Sequence, residues 1–143
     1  MRFWNALVPI ALLPIVTANF HLVLIWLEAY DSSTVPSNLM PSWVLVPSNR
    51  DRCDPATKPD SEFFKWRTNF SSEPTAPLCG SSGVTVSKYG AGWNDSRGQT
   101  GECFPINNGK GYFIVCGQKD TGIWLVLDMY WCKSDWCKGR GDQ

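Results

Sequence analysis

The clearest hydrophobic pattern lies in the last third of the chain. Residues 123–131 are apolar nearly throughout, and residues 111–117 are rich in the aromatic and β-branched side chains that strands favour. Residues 102–106 have extended character, and Asn107-Asn108-Gly109-Lys110 supplies an Asn-Gly turn typical of a β-hairpin. The pattern predicts a three-stranded meander that forms the core.

Shorter patterns upstream indicate further strands. Residues 42–46 form a short apolar run ended by Pro47, and residues 63–70 alternate apolar and polar side chains as a half-buried strand does. Residues 80–101 hold six glycines and predict turns around one strand at 84–89. Since no long helical periodicity follows residue 30, we predict a mainly β fold, a small disulfide-stapled antiparallel sheet domain with long loops.

The N-terminal residues have a different character. Residues 1–18 combine Arg2 with an apolar run that ends in the small residues Val16 and Ala18, which is typical of a cleaved secretory signal peptide. The alternative is an uncleaved membrane anchor over residues 3–27, because the apolar character continues far enough to span a bilayer. The protein is expected to contact a membrane only if this leader stays uncleaved.

The segment after the leader is ambiguous. Residues 21–30 are the one remaining helix candidate, but a strand or part of an anchor fits residues 19–30 as well. We predict that residues 19–143 form a single disulfide-rich β domain, in which residues 138–143 are a flexible tail.

All six cysteines lie in the predicted mature chain and none lies in the leader. An even count in a small secreted chain predicts three disulfides, whose connectivity the sequence leaves open. The predicted disulfide residues are Cys53, Cys79, Cys103, Cys116, Cys132 and Cys137.

Two sequons agree with a secretory route. Asn69-Phe70-Ser71 and Asn94-Asp95-Ser96 both fit the N-glycosylation rule. We therefore predict glycans on Asn69 and Asn94, and a location that is secreted and extracellular, or at the surface of a virion or cell.

Composition and charge remove several classes of function. The chain has 13 basic and 13 acidic residues, so its formal net charge is zero, and it has no basic stretch of the kind that binds nucleic acid. No acid–base pair or nucleophile constellation stands out, so we predict no catalytic residue, no metal site, no cofactor and no enzymatic activity. Asp128 lies inside an apolar strand, where it either faces solvent at an edge or needs a buried partner.

Two stretches resemble retroviral envelope surface subunits. The first resembles the early part of betaretrovirus-type surface subunits, with elements in the same order: Trp43-Val44, Asp51-Arg52-Cys53, Pro55-Ala56, Lys58-Pro59, Asn69-Phe70-Ser71 and Pro77-Leu78-Cys79-Gly80. The second stretch, residues 111–117, is similar to the Gly-x-x-Phe-x-Cys-Gly element that recurs late in many of these subunits.

The resemblance implies a truncated surface subunit, as from an endogenous provirus. The chain lacks a furin-type basic site, a fusion peptide and a C-terminal transmembrane helix, so it is not expected to fuse membranes. The resemblance implies a secreted glycoprotein that binds a host cell-surface receptor or a related viral glycoprotein.

Two motifs near the C-terminus suggest contact residues. Trp131 and Trp136 are candidate partner-binding residues, because exposed tryptophan is frequent at interface hot spots. Arg140, Gly141 and Asp142 form an Arg-Gly-Asp tripeptide, a sequence that can bind an integrin. The aspartate carboxylate then binds a metal ion held by the integrin, and the guanidinium enters an acidic pocket. The alternative function is therefore a secreted disulfide-rich adhesion module that binds an integrin through this tripeptide, or a carbohydrate.

One tripeptide bears on the carbohydrate alternative. Trp93-Asn94-Asp95 is similar to the Trp-Asn-Asp of C-type lectin-like domains, where the polar side chains help to hold calcium. We favour the interpretation that Asn94 is a glycan site in a glycine-rich loop, since calcium needs six or more oxygen ligands from several positions.

Overall fold

The computed structural model describes residues 19–29, 41–58, 66–87, 90–119 and 122–134. Within these residues the chain is mainly β, as predicted, and forms nine strands and one short helix. In chain order the elements are β1 Phe20–Ala29, β2 Ser42–Pro47, α1 Asp54–Thr57, β3 Thr68–Asn69, β4 Thr75–Leu78, β5 Ser81–Val86, β6 Gly92–Asp95, β7 Thr100–Pro105, β8 Tyr112–Lys119 and β9 Gly122–Cys132.

The longest strand, β9, organises an antiparallel sheet. The hydrogen-bonded order is β3-β2-β1-β9-β7-β6-β5-β4, and β8 pairs with β9 outside this path. β1 follows β9 along its length, from Phe20 opposite Cys132 to Ala29 opposite Gly122. Because β4 lies against β2, the sheet curls round and nearly closes on itself.

Buried side chains divide between the two faces of this sheet. Successive residues of a strand point to opposite faces, so β1 and β2 each contribute to both. The inner cluster lies inside the curl and contains Phe20, Leu22, Trp43, Leu45, Ala76, Leu78, Val84, Val86, Trp93, Cys103 and Cys132. The outer cluster lies on the opposite face, where α1 packs, and contains Val23, Ile25, Leu27, Val44, Val46, Ala56, Cys116, Trp124 and Val126.

The helix considered for residues 21–30 is wrong, because Phe20–Ala29 is a strand. Its apolar side chains are divided between both clusters, so the strand is buried on two faces. A strand buried on both faces reads as a continuous apolar run, which sequence periodicity does not distinguish from a buried helix. Among the helices of the described residues, none has the length and apolar character needed to cross a membrane.

The predicted meander is partly wrong. Both β7 and β8 form, but each pairs with β9 rather than with the other: β7 lies beside residues 130–132, and β8 beside residues 122–128. The connection Ile106–Gly109 is a 3₁₀ segment in which Asn107 and Asn108 have φ of 50° and 54°. Asparagine tolerates this left-handed region better than most residues, but the chain does not reverse here. β7 and β8 run in the same direction along β9, so the predicted Asn-Gly hairpin is wrong.

The remaining strand predictions have mixed outcomes. The strands predicted at 42–46, 111–117 and 123–131 are confirmed. The glycine-rich stretch, for which one strand at 84–89 was predicted, instead contributes two strands, β5 and β6. Of the strand predicted at 63–70, only Thr68–Asn69 is a strand, and residues 63–65 lie outside the described residues.

Candidate functional site

Two of the predicted disulfides link distant parts of the sheet. Cys53 bonds to Cys116 and ties the start of α1 to β8 across 63 residues of sequence. Cys103 bonds to Cys132, its direct cross-strand partner on β9, across 29 residues. Disulfides form and persist in oxidising compartments, so these bonds indicate an extracellular or otherwise oxidising environment.

The remaining predictions on cysteines and contact residues fall mostly outside the described residues. Cys79 is disulfide-bonded as well. The leader at 1–18 lies outside the described residues, and so do the predicted functional residues Cys137, Trp136, Arg140, Gly141 and Asp142.

Both sequon asparagines are exposed, on different strands. Asn69 ends β3, and its Oδ1 accepts hydrogen bonds at 3.0 Å from the backbone N–H and from the hydroxyl of Ser71. Asn94 lies on β6 rather than in a loop. Both side chains therefore have the exposure that N-glycosylation requires.

The residues on either side of Asn94 have structural roles. Trp93 is 5% exposed and belongs to the inner cluster, and its Nε1 donates to the carbonyl of Lys133 at 2.8 Å. The Asp95 carboxylate accepts the backbone N–H groups of Arg97 and Gln99, each at 2.9 Å, and the Arg97 Nε–H at 3.0 Å. Burial raises the pKa of Asp95, but these hydrogen bonds and the charge of Arg97 outweigh it and hold the pKa below its usual value. These bonds use the carboxylate in a turn, which leaves the resemblance to a calcium tripeptide without support.

Asp128 is a buried carboxylate with two partners. Its side chain is 9% exposed and accepts from His21 Nδ1 at 2.9 Å and from Arg52 Nε at 3.2 Å. Arg52 also bonds to His21 Nε2, and its Nη1 donates to the carbonyl of Arg50 at 2.9 Å. We call these three side chains the His21–Arg52–Asp128 network.

The hydrogen bonds of this network assign the state of the imidazole. A guanidinium only donates, so the Nε2 of His21 must accept from Arg52. The proton of a neutral imidazole then lies on Nδ1, from which it is donated to Asp128. In this arrangement Arg52 and Asp128 form the ion pair, and His21 bridges them.

An aromatic pair borders the network on the same face of the sheet. Trp131 lies opposite His21 on β1 and opposite Phe104 on β7, and cross-strand partners share a face. The rings of Phe104 and Trp131 stack with centroids 4.7 Å apart and planes inclined by 24°. Phe104 is 36% exposed and Trp131 is partly buried, so this Phe104–Trp131 pair is accessible from solvent.

The edge strand β8 exposes further apolar side chains. Tyr112, Phe113 and Val115 are 65%, 53% and 62% exposed. The sequence interpretation named Trp131 as a candidate contact residue but not its neighbours Phe104, His21 and Arg52, which sequence alone does not bring together. The period-two alternation of residues 112–115 marks a strand but does not reveal that it lies at an edge.

The described residues hold no group of three or more His, Cys, Asp or Glu side chains arranged to bind a metal ion. The site they do form is a solvent-accessible aromatic pair beside an arginine. The chain matches no protein-family model, and comparisons with curated proteins and with solved structures give no match either.

Proposed function

We propose that this chain is a secreted, glycosylated and non-enzymatic binding protein of the envelope surface-subunit type. It acts by occupying a host cell-surface receptor or a related viral glycoprotein.

The observation that carries this proposal is the Phe104–Trp131 pair. A large aromatic pair left partly open to solvent on a rigid sheet is the kind of surface at which interface hot spots occur. Arg52, whose side chain is 22% exposed, bonds to His21 beside this pair. Arginine, like tryptophan, is a residue type frequent at hot spots. The fold therefore offers a preorganised contact surface, which loses little conformational entropy on binding.

The arrangement of the resembling stretches gives further support. Asp51-Arg52-Cys53 belongs to the first stretch and residues 111–117 to the second, and the Cys53–Cys116 disulfide joins the two. Arg52 of the same motif bonds to Asp128. Residues far apart in sequence that resemble one family thus belong to a single structural unit.

The test begins with mammalian expression of the full chain. We expect the chain to be secreted with two N-linked glycans, whose mass an N-glycosidase removes. Asn69→Gln and Asn94→Gln are each expected to eliminate one of the two glycans. The purified, fluorescently labelled protein is then titrated onto intact mammalian cells. Saturable binding is expected, and preloaded cells are expected to resist infection by particles that carry betaretrovirus-type envelopes.

The aromatic pair is tested with matched variants. Trp131→Ala is expected to weaken cell binding by about 30-fold, the effect of a hot-spot residue. Trp66→Ala is the control, because Trp66 is 49% exposed and lies on another segment. An absence of saturable binding, or an equal loss in both variants, contradicts the proposal.

A further inference from the structure

Strand β8 has an open edge. It pairs with β9 on one side, and no other strand of the described residues pairs with its second side. Residues 111–118 contain no charged residue and no proline, although natural edge strands commonly use both to prevent pairing. β8 does have a β-bulge between Val115 and Gly117 and ends at Lys119, so regular pairing is expected only around Ile114. The exposure of Tyr112, Phe113 and Val115 adds apolar side chains to the unpaired backbone.

We propose that two copies of this chain associate through β8, which pairs antiparallel with β8 of the second copy and places Ile114 opposite Ile114. This register is symmetric about a twofold axis perpendicular to the sheet, so each side chain stays on its own face. Phe113 of each copy then lies opposite Val115 of the other. Aromatic and β-branched side chains are a favourable cross-strand combination, and this pairing occurs twice.

The charge of the molecule favours a second copy as the occupant. The formal net charge is zero for the full sequence and −1 once the predicted leader with Arg2 is removed, so two copies approach without the long-range repulsion that keeps strongly charged proteins apart. The paired segment is uncharged as well, so no like charges lie opposite each other across the interface. Neither sequon lies on β8, since Asn69 is on β3 and Asn94 on β6.

The geometry also favours pairing. Phe113 contacts Trp26 of β1 with ring centroids 6.0 Å apart, which orders its side chain before association. Ile114 and Cys116 pack against the outer cluster, so β8 is fixed from its other face. Such a strand loses little freedom when it pairs, which lowers the entropic cost of association.

The size of the interface predicts a weak dimer. Since a whole aromatic side chain covers about 150–250 Å², the half-exposed side chains of β8 supply on the order of 300 Å² per copy. The total is below the range of stable specific interfaces, so we expect a dissociation constant on the order of 10–100 µM.

Sedimentation equilibrium of the secreted, disulfide-intact protein over a concentration series to several hundred micromolar tests the proposal. The average mass is expected to rise toward twice the monomer mass and to stop there. Phe113→Lys and Val115→Lys are each expected to weaken association at least tenfold. Trp66→Lys, a change at an equally exposed aromatic residue on another segment, is expected to leave it unchanged.

Each variant is first checked for native near-ultraviolet circular dichroism, and two variants are used so that one misfolded protein does not decide the result. The proposal is overturned if the wild-type mass stays monomeric throughout. It is also overturned if the mass grows past the dimer without saturation, or if Trp66→Lys weakens association as much as the β8 variants do.

Discussion

Asp128→Asn tests whether the His21–Arg52–Asp128 network stabilises the fold. The substitution keeps the shape of the side chain but removes the charge that Arg52 pairs with. The asparagine Oδ1 can accept from His21 or from Arg52, and the NH₂ group then faces the N–H of the other residue, where neither can accept. The variant thus isolates the ion pair from simple loss of packing.

The structure sets the expected magnitude. Breaking a buried ion pair by changing one partner costs about 3–5 kcal/mol. Here the Arg52 side chain is 22% exposed and keeps the backbone carbonyls of Ser48 and Arg50 as acceptors. We therefore expect a smaller loss, about 2–3 kcal/mol in the free energy of unfolding.

The assay is thermal and urea unfolding at neutral pH with the disulfides intact. For a domain of this size the expected loss lowers the Tm by about 8–12 °C. A double-mutant cycle with Arg52→Leu, which keeps part of the apolar stem, is expected to give a coupling energy of about 1–2 kcal/mol.

The control is an ion pair of the same chain that solvent screens. Lys58 Nζ lies 2.8 Å from Asp54 Oδ1, but the Lys58 side chain is 64% exposed. Lys58→Gln should therefore cost less than about 1 kcal/mol. A coupling energy below about 0.5 kcal/mol between Asp128 and Arg52 would refute the argument, because pairs of sites that do not interact also deviate from additivity by up to about that amount.

Two further predictions concern β5, β6 and β7. Because the pKa of folded Asp95 is lowered, its stabilising effect is complete above the unfolded pKa of about 4 and is lost as pH falls through the folded value. Asp95→Asn should therefore unfold more easily than wild type at pH 7, and urea titrations at a series of pH values should show the two curves converging in acid. Gly101→Ala places a Cβ 2.5 Å from the indole Nε1 of buried Trp93 and should cost about 1–3 kcal/mol with altered tryptophan fluorescence. Gly83→Ala, which meets nothing within 4 Å, is its control, and equal losses in both would contradict the steric argument.

Local chemistry in the sequence predicts several strands well, whether one or both of their faces are buried. Residues 42–46 and 111–117 have the β-branched and aromatic content of strands, and both are strands. Residues 19–30 stayed open between a helix, a strand and an anchor, because both faces of β1 are buried and its ten apolar-rich residues are long enough for a helix. The Asn-Gly signal at 107–109 predicted a hairpin that does not form, because β7 and β8 run in the same direction along β9.

The candidate site was harder to predict than the strands, because its residues are distant in sequence. Asp128 lies 107 residues from His21 and 76 from Arg52, so its two bonds follow from the pairing of β1 with β9 and from the loop after β2. The sequence posed the question of a buried partner for Asp128, and only the tertiary structure answers it. Likewise, Trp131 stands out by residue type, whereas Phe104 becomes part of the site through strand register.

The exposure of β8 is a consequence of the Cys53–Cys116 disulfide. The opposite edge, β3, is two residues long and ends at a sequon asparagine, so it offers little for another chain to pair with. β8 is eight residues long, and the bond from buried Cys116 to Cys53 anchors it to the segment that begins α1. This anchor prevents β8 from turning to bury Phe113 and Val115 without losing the outer cluster. The disulfide therefore keeps an apolar edge exposed in a fixed geometry, while the Phe104–Trp131 pair lies beside β7 and β9. Since the two surfaces use different side chains, Phe113→Lys is expected to weaken self-association at least tenfold without reducing cell binding. Trp131→Ala is expected to weaken cell binding and to leave self-association unchanged.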